Sequence, residues 1–282
     1  MKTTLYYKTK GITLNLIIHL FLLTVAITCI FPLLWMFASS LKTQETIFKG
    51  ISIIPQEFHF ENYYLAWKEG GFGRYFLNSI FYTASVVIGI VIVASLAAYA
   101  FSRLQFPGKN LIFYTFMAAM MIPIPGSFVA LFVLLNKLHL RNTQLGYILA
   151  MINVGLSTSI FLLKTFFDKM PKELEDAARI DGCSKLGIWW NVALPLAKPV
   201  LAVVVVFNAL NVWNEYVLAL IIFDSKHLMP LQVALQTFQG EFVTNYPLLM
   251  AGLTITALPI IILYLLMQKY IIKGVTAGAI VG

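Results

Sequence analysis

Twelve carboxylates, four histidines and two cysteines are the acidic, imidazole and thiol groups of these 282 residues. Four of the carboxylates, Glu173, Glu175, Asp176 and Asp181, crowd into one passage, KELEDAARIDGCSKLGIWWNVALPL, residues 172–196. A second polar concentration is NALNVWNEYVLAL, residues 208–220, with Asn208, Asn211, Trp213, Asn214, Glu215 and Tyr216. Amides, a carboxylate and flat aromatic rings are the groups with which a site holds a sugar, hydroxyl by hydroxyl and face by face. Polar bonding between packed helices uses the same side chains, and both uses stay open. Neither passage is a reaction centre. There is no H-E-x-x-H, no G-x-x-x-x-G-K-[ST], and no close carboxylate pair in an apolar segment, and the histidines are scattered. A membrane-embedded enzyme and a P-loop ATPase therefore have no candidate chemistry here.

The elements that must position these passages are membrane-spanning. The chain is 60% hydrophobic and 11% charged, against roughly 25% charged in soluble domains. Six apolar segments approach the roughly 20 residues that a helix needs to cross a bilayer: about Leu14–Phe37, Leu77–Phe101, Leu111–Leu135, Leu145–Phe167, Val200–Phe223 and Leu248–Met267. The fold class expected is all-α, a polytopic membrane protein of six transmembrane helices forming one domain over 1–282. The first segment is longer than a signal-peptide core and ends in no small-x-small cleavage site, so it is expected to be retained. Two segments carry breaks: Pro123, Pro125 and Gly126 in the third and Pro259 in the sixth. Proline removes a helical hydrogen bond, which a wet cavity or neighbouring protein can make good.

Lysine and arginine in alternate loops number 13 against 7. The larger set includes both termini and residues 164–198, so these are expected in the cytoplasm. The net charge of +8 records that orientation rather than nucleic-acid binding. Cys29 and Cys183 fall in different environments and form no disulfide framework.

Within residues 172–196, Pro171 suits the first helical turn. Glu173, Glu175 and Asp176 place negative charge at the positive end of the helix dipole. Leu174, Ala177, Ala178 and Asp181 recur at helical spacing as a narrow face of small or apolar groups. Gly182 is placed to end the helix in left-handed geometry. A second short helix is expected from Ser184 to Leu194, stopped by Pro195, with Trp189 and Trp190 at the membrane interface. Such a helix–turn–helix either docks a partner through its shallow face or anchors a loop at the membrane surface.

EDAARIDG, followed nine residues later by Val192, Ala193, Leu194 and Pro195, resembles the E-A-A-x3-G-x9-I-x-L-P loop of ABC importer permeases. Asp176 stands for the family's Glu and Val192 for its Ile. NSIFYTASVVIGIVIVASLAAYAFSRLQFPG, LRNTQLGYILAMINVGLSTSIFLLKTFF, NVWNEYVLAL and KGVTAGAIVG extend the resemblance to the second permease of maltose-type carbohydrate importers.

That resemblance implies a type I importer architecture and a coupling loop at about 168–198. Glu175, Asp176, Ala177, Ala178, Asp181, Gly182, Leu194 and Pro195 would meet the ATPase there. It implies a homologous permease as heterodimer partner, a dimeric cytoplasmic ATPase that supplies ATP and Mg chemistry, and an extracellular solute-binding protein. It also implies membrane lipid around the chain, a prokaryotic inner membrane and no cofactor bound directly. Asn211, Trp213, Asn214, Glu215, Tyr216, Pro123 and Pro125 are candidates for the solute path. A secondary transporter or channel is the competing class. It would more often show two inverted halves, which this sequence does not, and it gives the coupling loop no purpose.

Overall fold

The structure is a computed structural model that describes residues 2–50, 53–121, 126–239 and 244–279, with side chains from Asn15 to Lys269. The described residues are helical throughout, apart from loops and one isolated bridge, Gln239 to Thr244. Among the described residues, four helices contain unbroken stretches long and apolar enough to cross a membrane: Asn15–Ser40, Phe72–Arg103, Gln144–Lys169 and Tyr246–Lys269. The expected third and fifth segments are each in two pieces. The third is divided into Lys109–Met121 and Ser127–Lys137, and the fifth into Lys198–Trp213 and Val217–Ile222.

The chain forms two compact units. The first comprises residues 1–70 and 237–255. It contains α1 (Lys2–Ser40) and α2 (Glu61–Glu69). Asn62 is buried at the end of α1, and its Nδ2 donates to the Ser40 carbonyl at 2.8 Å and the Lys42 carbonyl at 3.0 Å, closing groups that a helix terminus leaves open. Gln44 ties the two chain segments of the unit together, donating to the Thr244 carbonyl and accepting from the Tyr246 N–H. His59 Nδ1 lies 2.6 Å from Glu61 Oε1 and, by hydrogen bonding, holds that carboxyl below the usual carboxylate range. From Leu16 to Phe37 along α1 the leucines, isoleucines and phenylalanines are exposed.

The second unit, residues 71–236 and 256–282, holds the main core. Its helices are α3 (Phe72–Arg103), α4 (Lys109–Met121), α5 (Ser127–Lys137), α6 (Gln144–Lys169), α7 (Lys172–Ile180), α8 (Lys185–Ile188), α9 (Leu194–Leu196), α10 (Lys198–Trp213), α11 (Val217–Ile222) and α12 (Leu231–Ala234). The last long helix, α13 (Tyr246–Ala279), contributes its residues from Thr256 onward. On α3 the buried residues Ser79, Tyr82, Val86, Ile90, Ala94, Ala98 and Phe101 recur every three to four positions. On α6 the same period runs through Tyr147, Met151, Gly155, Ser159, Leu163 and Phe167. These stripes make α3 and α6 the principal helix pair, and α10 packs on both.

Gly155 sets that approach. A Cβ there would lie 2.1 Å from Asn208 Oδ1 and 2.5 Å from Ile90 Cδ1. Asn208 Nδ2 in turn donates to Ser159 Oγ at 3.0 Å and to the Val204 carbonyl, so the buried amide has partners on α6 and on its own helix.

Segment 224–231 is fastened to α3 and to the 139–143 corner. Asn78 donates to the His227 and Met229 carbonyls, Tyr82 to the Leu228 carbonyl, and Ser79 accepts from the Leu231 N–H. Asn142, with φ 55°, accepts through Oδ1 from the Asp224 and Ser225 N–H groups.

Candidate functional site

The acidic passage folds as a compact helical corner beside the core of the second unit. Pro171 is the N-cap of α7, one position earlier than the sequence suggests, and Lys172 is the first helical residue. Glu173 and Glu175 occupy the first turn. The helix ends in a Schellman arrangement: Cys183 N–H donates to the Ala178 carbonyl at 3.0 Å and Gly182 N–H to the Arg179 carbonyl at 3.1 Å. Gly182 has φ +82°, and a Cβ on it would meet no atom of this chain within 4 Å. Ser184 then starts α8 by accepting from the Gly187 N–H.

A π turn over Trp189–Ala193 follows, then α9. The helical stretch therefore runs through Pro195 to Leu196, two residues past the expected stop. Leu194 N–H reaches back to the Trp189 carbonyl, and this opened ladder accommodates a residue with no N–H of its own. The arm Lys185–Leu196 meets α10 at 79°.

Burial sorts the expected coupling residues differently from their spacing. Asp176, Ala177, Asp181, Gly182 and Pro195 are exposed, Leu194 is half-buried, and Glu175 and Ala178 are buried. The narrow face proposed from Leu174, Ala177, Ala178 and Asp181 is thus divided: Ala178 faces inward, and the other three face out. Ile180, at 87% exposure, is the most prominent apolar group on the outer side. Of the two tryptophans, Trp190 is exposed, whereas Trp189 is buried and packs into the core. Asp176 and Arg179 form a solvent-exposed pair at 3.1 Å, which contributes little to stability.

Glu175 points inward because it has a charge to meet. Its Oε1 lies 2.8 Å from Arg103 Nε, with both side chains under a tenth exposed. Arg103 is the last residue of α3, and its Nη2 also donates to the Met170 carbonyl. One residue earlier, Ser102 Oγ donates to Asp168 Oδ1 at 2.7 Å, and Lys164 Nζ sits 2.7 Å from Asp168 Oδ2. In the sequence, Arg103 is only one of the thirteen basic residues of the larger loop set. The usable signal was a carboxylate three positions before Ala178, on the face that small residues mark as packed.

The second polar cluster lies at the break between α10 and α11. Asn211 and Asn214 are exposed, and Glu215 and Tyr216 are half-buried. Asn214 is the C-cap of α10 and accepts from Gln232 Nε2 at 3.2 Å. Glu215 caps the next helix, its carboxylate accepting from the Leu218 N–H. Trp213 is 3% exposed, donates through Nε1 to the Thr256 carbonyl at 2.9 Å, and meets Phe76 edge-on. It is buried, whereas the amides of Asn211 and Asn214 are exposed. Pro123 and Pro125 lie outside the described residues; Gly126, with φ +77°, is the N-cap of α5. Both cysteines are free, and among the described residues no group of His, Cys, Asp and Glu is placed to hold a metal.

Long apolar helices, an amphipathic helical corner beside the core of the second unit and a polar break inside one apolar segment mark a multi-pass membrane protein. A family model described as "binding-protein-dependent transport system inner membrane component" matches residues 70–277, and the chain belongs to that family. It is 36% identical over 265 residues to the probable ABC transporter permease protein YurM of Bacillus subtilis, covering 94% of this chain and 87% of that one. The arabinooligosaccharides transport system permease protein AraQ of Halalkalibacterium halodurans is 33% identical, covering 92% and 93%. The diacetylchitobiose uptake system permease protein NgcG of Streptomyces coelicolor is 32% identical, covering 92% and 87%. Among solved structures, a bacterial ABC transporter involved in importing the acidic polysaccharide alginate aligns with TM-score 0.80 at 24% identity, over 91% of this chain and 96% of that one. That likeness establishes the shared fold.

Proposed function

We propose that this permease carries a sugar or oligosaccharide inward, as one of two homologous membrane subunits driven by a separate dimeric ATPase. An extracellular binding protein delivers the solute. ATP and Mg are bound in the ATPase, and this chain makes no covalent chemistry. The names borne by its relatives support a carbohydrate cargo, and the exposed amides of Asn211 and Asn214 suit hydroxyl groups. The 13-to-7 distribution of basic residues supports cytoplasmic termini and a cytoplasmic coupling corner.

The observation that carries this reading is the outer face of α7. Asp176, Ala177 and Ile180 are exposed together, and Gly182 ends the helix with open space where a side chain would be. A shallow, rigidly ended helix is a surface for a cleft in another protein. The test is Gly182→Asp. Left-handed geometry costs an ordinary residue about 1–2 kcal/mol, too little to unfold the chain, while the added carboxylate would occupy the space that a cleft needs. Sugar uptake by reconstituted complexes should be lost with the protein still inserted. Co-purification of the ATPase should weaken, or its stimulation by loaded binding protein should disappear. Near-normal uptake and stimulation would reduce α7 to a membrane-surface anchor.

A further inference from the structure

A buried ion pair on the inner side of a short surface helix is a costly way to hold that helix in place. Taking both charges from water costs several kcal/mol per ion, and a well-packed apolar pair of similar volume is often as stable or more so. What Arg103 and Glu175 supply that an apolar contact does not is fixed register. An apolar face can slide by a fraction of a helical turn at small cost, whereas parting two buried charges that lie 2.8 Å apart would leave each uncompensated, which is strongly destabilising.

The position of the pair gives that rigidity a use. One guanidinium touches α7 through Glu175 and the α6–α7 junction through the Met170 carbonyl, from the last residue of α3. The neighbouring Ser102–Asp168–Lys164 group locks the same end of α3 to the end of α6. Tyr99 of α3 also bonds to the Glu175 carboxylate; without that carboxylate the polar joints tying this corner to α3 would reach only as far as Met170, and α7 would be held by the apolar contacts of Ala178. With it, α7 is tied directly to the end of α3.

We propose that Arg103 and Glu175 are the positioning pair through which displacement of α7 is passed to α3, and so to the solute path. The proposal rests on the reading of α7 as the ATPase-docking helix. Asp176, Ala177 and Ile180 make the outward contact, and Glu175 makes the inward one.

The test compares complete reconstituted transporters carrying Glu175→Gln, Arg103→Glu, Glu175→Arg and the reciprocal double variant Arg103→Glu/Glu175→Arg. The readouts are assembled complex, thermal midpoint and solute moved per ATP hydrolysed in the presence of loaded binding protein. Glu175→Gln should lower solute moved per ATP roughly tenfold, in the ordinary range of coupling energies, while complexes still assemble. The double variant should recover much of what either reversal alone loses. A merely structural role would lower uptake only in proportion to assembled complex and leave the ratio unchanged, and that result would overturn the proposal. Wild-type ratios for Glu175→Gln, or a reciprocal variant no better than the single reversals, would do the same. Failure of the docking reading looks different: Gly182→Asp would then keep its coupling. If Gly182→Asp uncouples and Glu175→Gln does not, only the positioning pair is lost.

Discussion

Two glycines are held to their size by neighbours of different kinds, which grades the cost of adding a methyl group. At Gly146 a Cβ would lie 2.1 Å from the Leu140 carbonyl oxygen and 3.0 Å from its carbon. Backbone cannot swing aside, so Gly146→Ala should prevent stable accumulation in the membrane. At Gly155 the obstacles are the side chains of Asn208 and Ile90, so Gly155→Ala should cost about 1–3 kcal/mol of overpacking. Gly187, whose nearest neighbour would be Ser184 Oγ at 3.4 Å, is the control. Inserted yield and thermal midpoint should rank Gly187→Ala above Gly155→Ala above Gly146→Ala, and equal midpoints for all three would refute the packing. Glu215 is graded by chemistry instead. Its carboxylate accepts the Leu218 N–H, and glutamine keeps an acceptor at that place. Glu215→Gln should therefore retain most uptake, and Glu215→Ala should lose about 1 kcal/mol of capping and a larger share of transport. Full uptake by the alanine variant would remove Glu215 from any role. Gly182 was legible in the sequence because left-handed helix ends favour glycine. The inward turn of Glu175 was not, because its compensating charge, Arg103, is distant in sequence.

Among the elements, hydropathy found where the helices are but not where they stop. Val200–Phe223 looks continuous to a hydropathy count, yet α10 stops at Trp213 and α11 begins at Val217. Side-chain capping decided that: Asn214 and Glu215 offer polar atoms to a backbone that opens between them. Pro259 was legible as a break in helical hydrogen bonding and lies within continuous α13. The Thr256 carbonyl, three residues before that proline, receives the Trp213 indole N–H. Trp213→Phe keeps an aromatic edge against Phe76 and deletes that donor. It should cost about 1 kcal/mol and lower the thermal midpoint while solute moved per ATP stays unchanged. A changed ratio at an unchanged midpoint would mean that the ring meets the solute after all.

Across the whole molecule, apolar surface is displayed on a scale that water does not permit. Leu77, Leu111 and Leu266 are each at least two-thirds exposed, and soluble monomers keep such patches to a few hundred Å². In lipid these side chains cost nothing, and helices associate through packing and polar contacts. Membrane class was therefore legible from composition alone, whereas sidedness rests on charge counting. A cysteine at Lys226 should react with an impermeant thiol reagent in intact cells, and one at Ser184 should not; the reverse pattern would invert the topology. The corner at Ala197 carries a mechanical consequence. The twelve residues Lys185–Leu196 and the sixteen of α10 meet there at 79°, giving arms of about 18 and 24 Å. If the two arms turned as one rigid body on the buried Ala197, they would act as a bell crank with a ratio slightly above one, and a stroke of about 3 Å at Lys185 would swing the Asn214 end by about 4 Å. Spin labels that move less at Asn214 than at Lys185 between transport states would show that the elbow yields. Under the proposed coupling, a rigid crank of this ratio would offer almost no amplification: a docked ATPase would have to travel nearly as far as the Asn214 end swings.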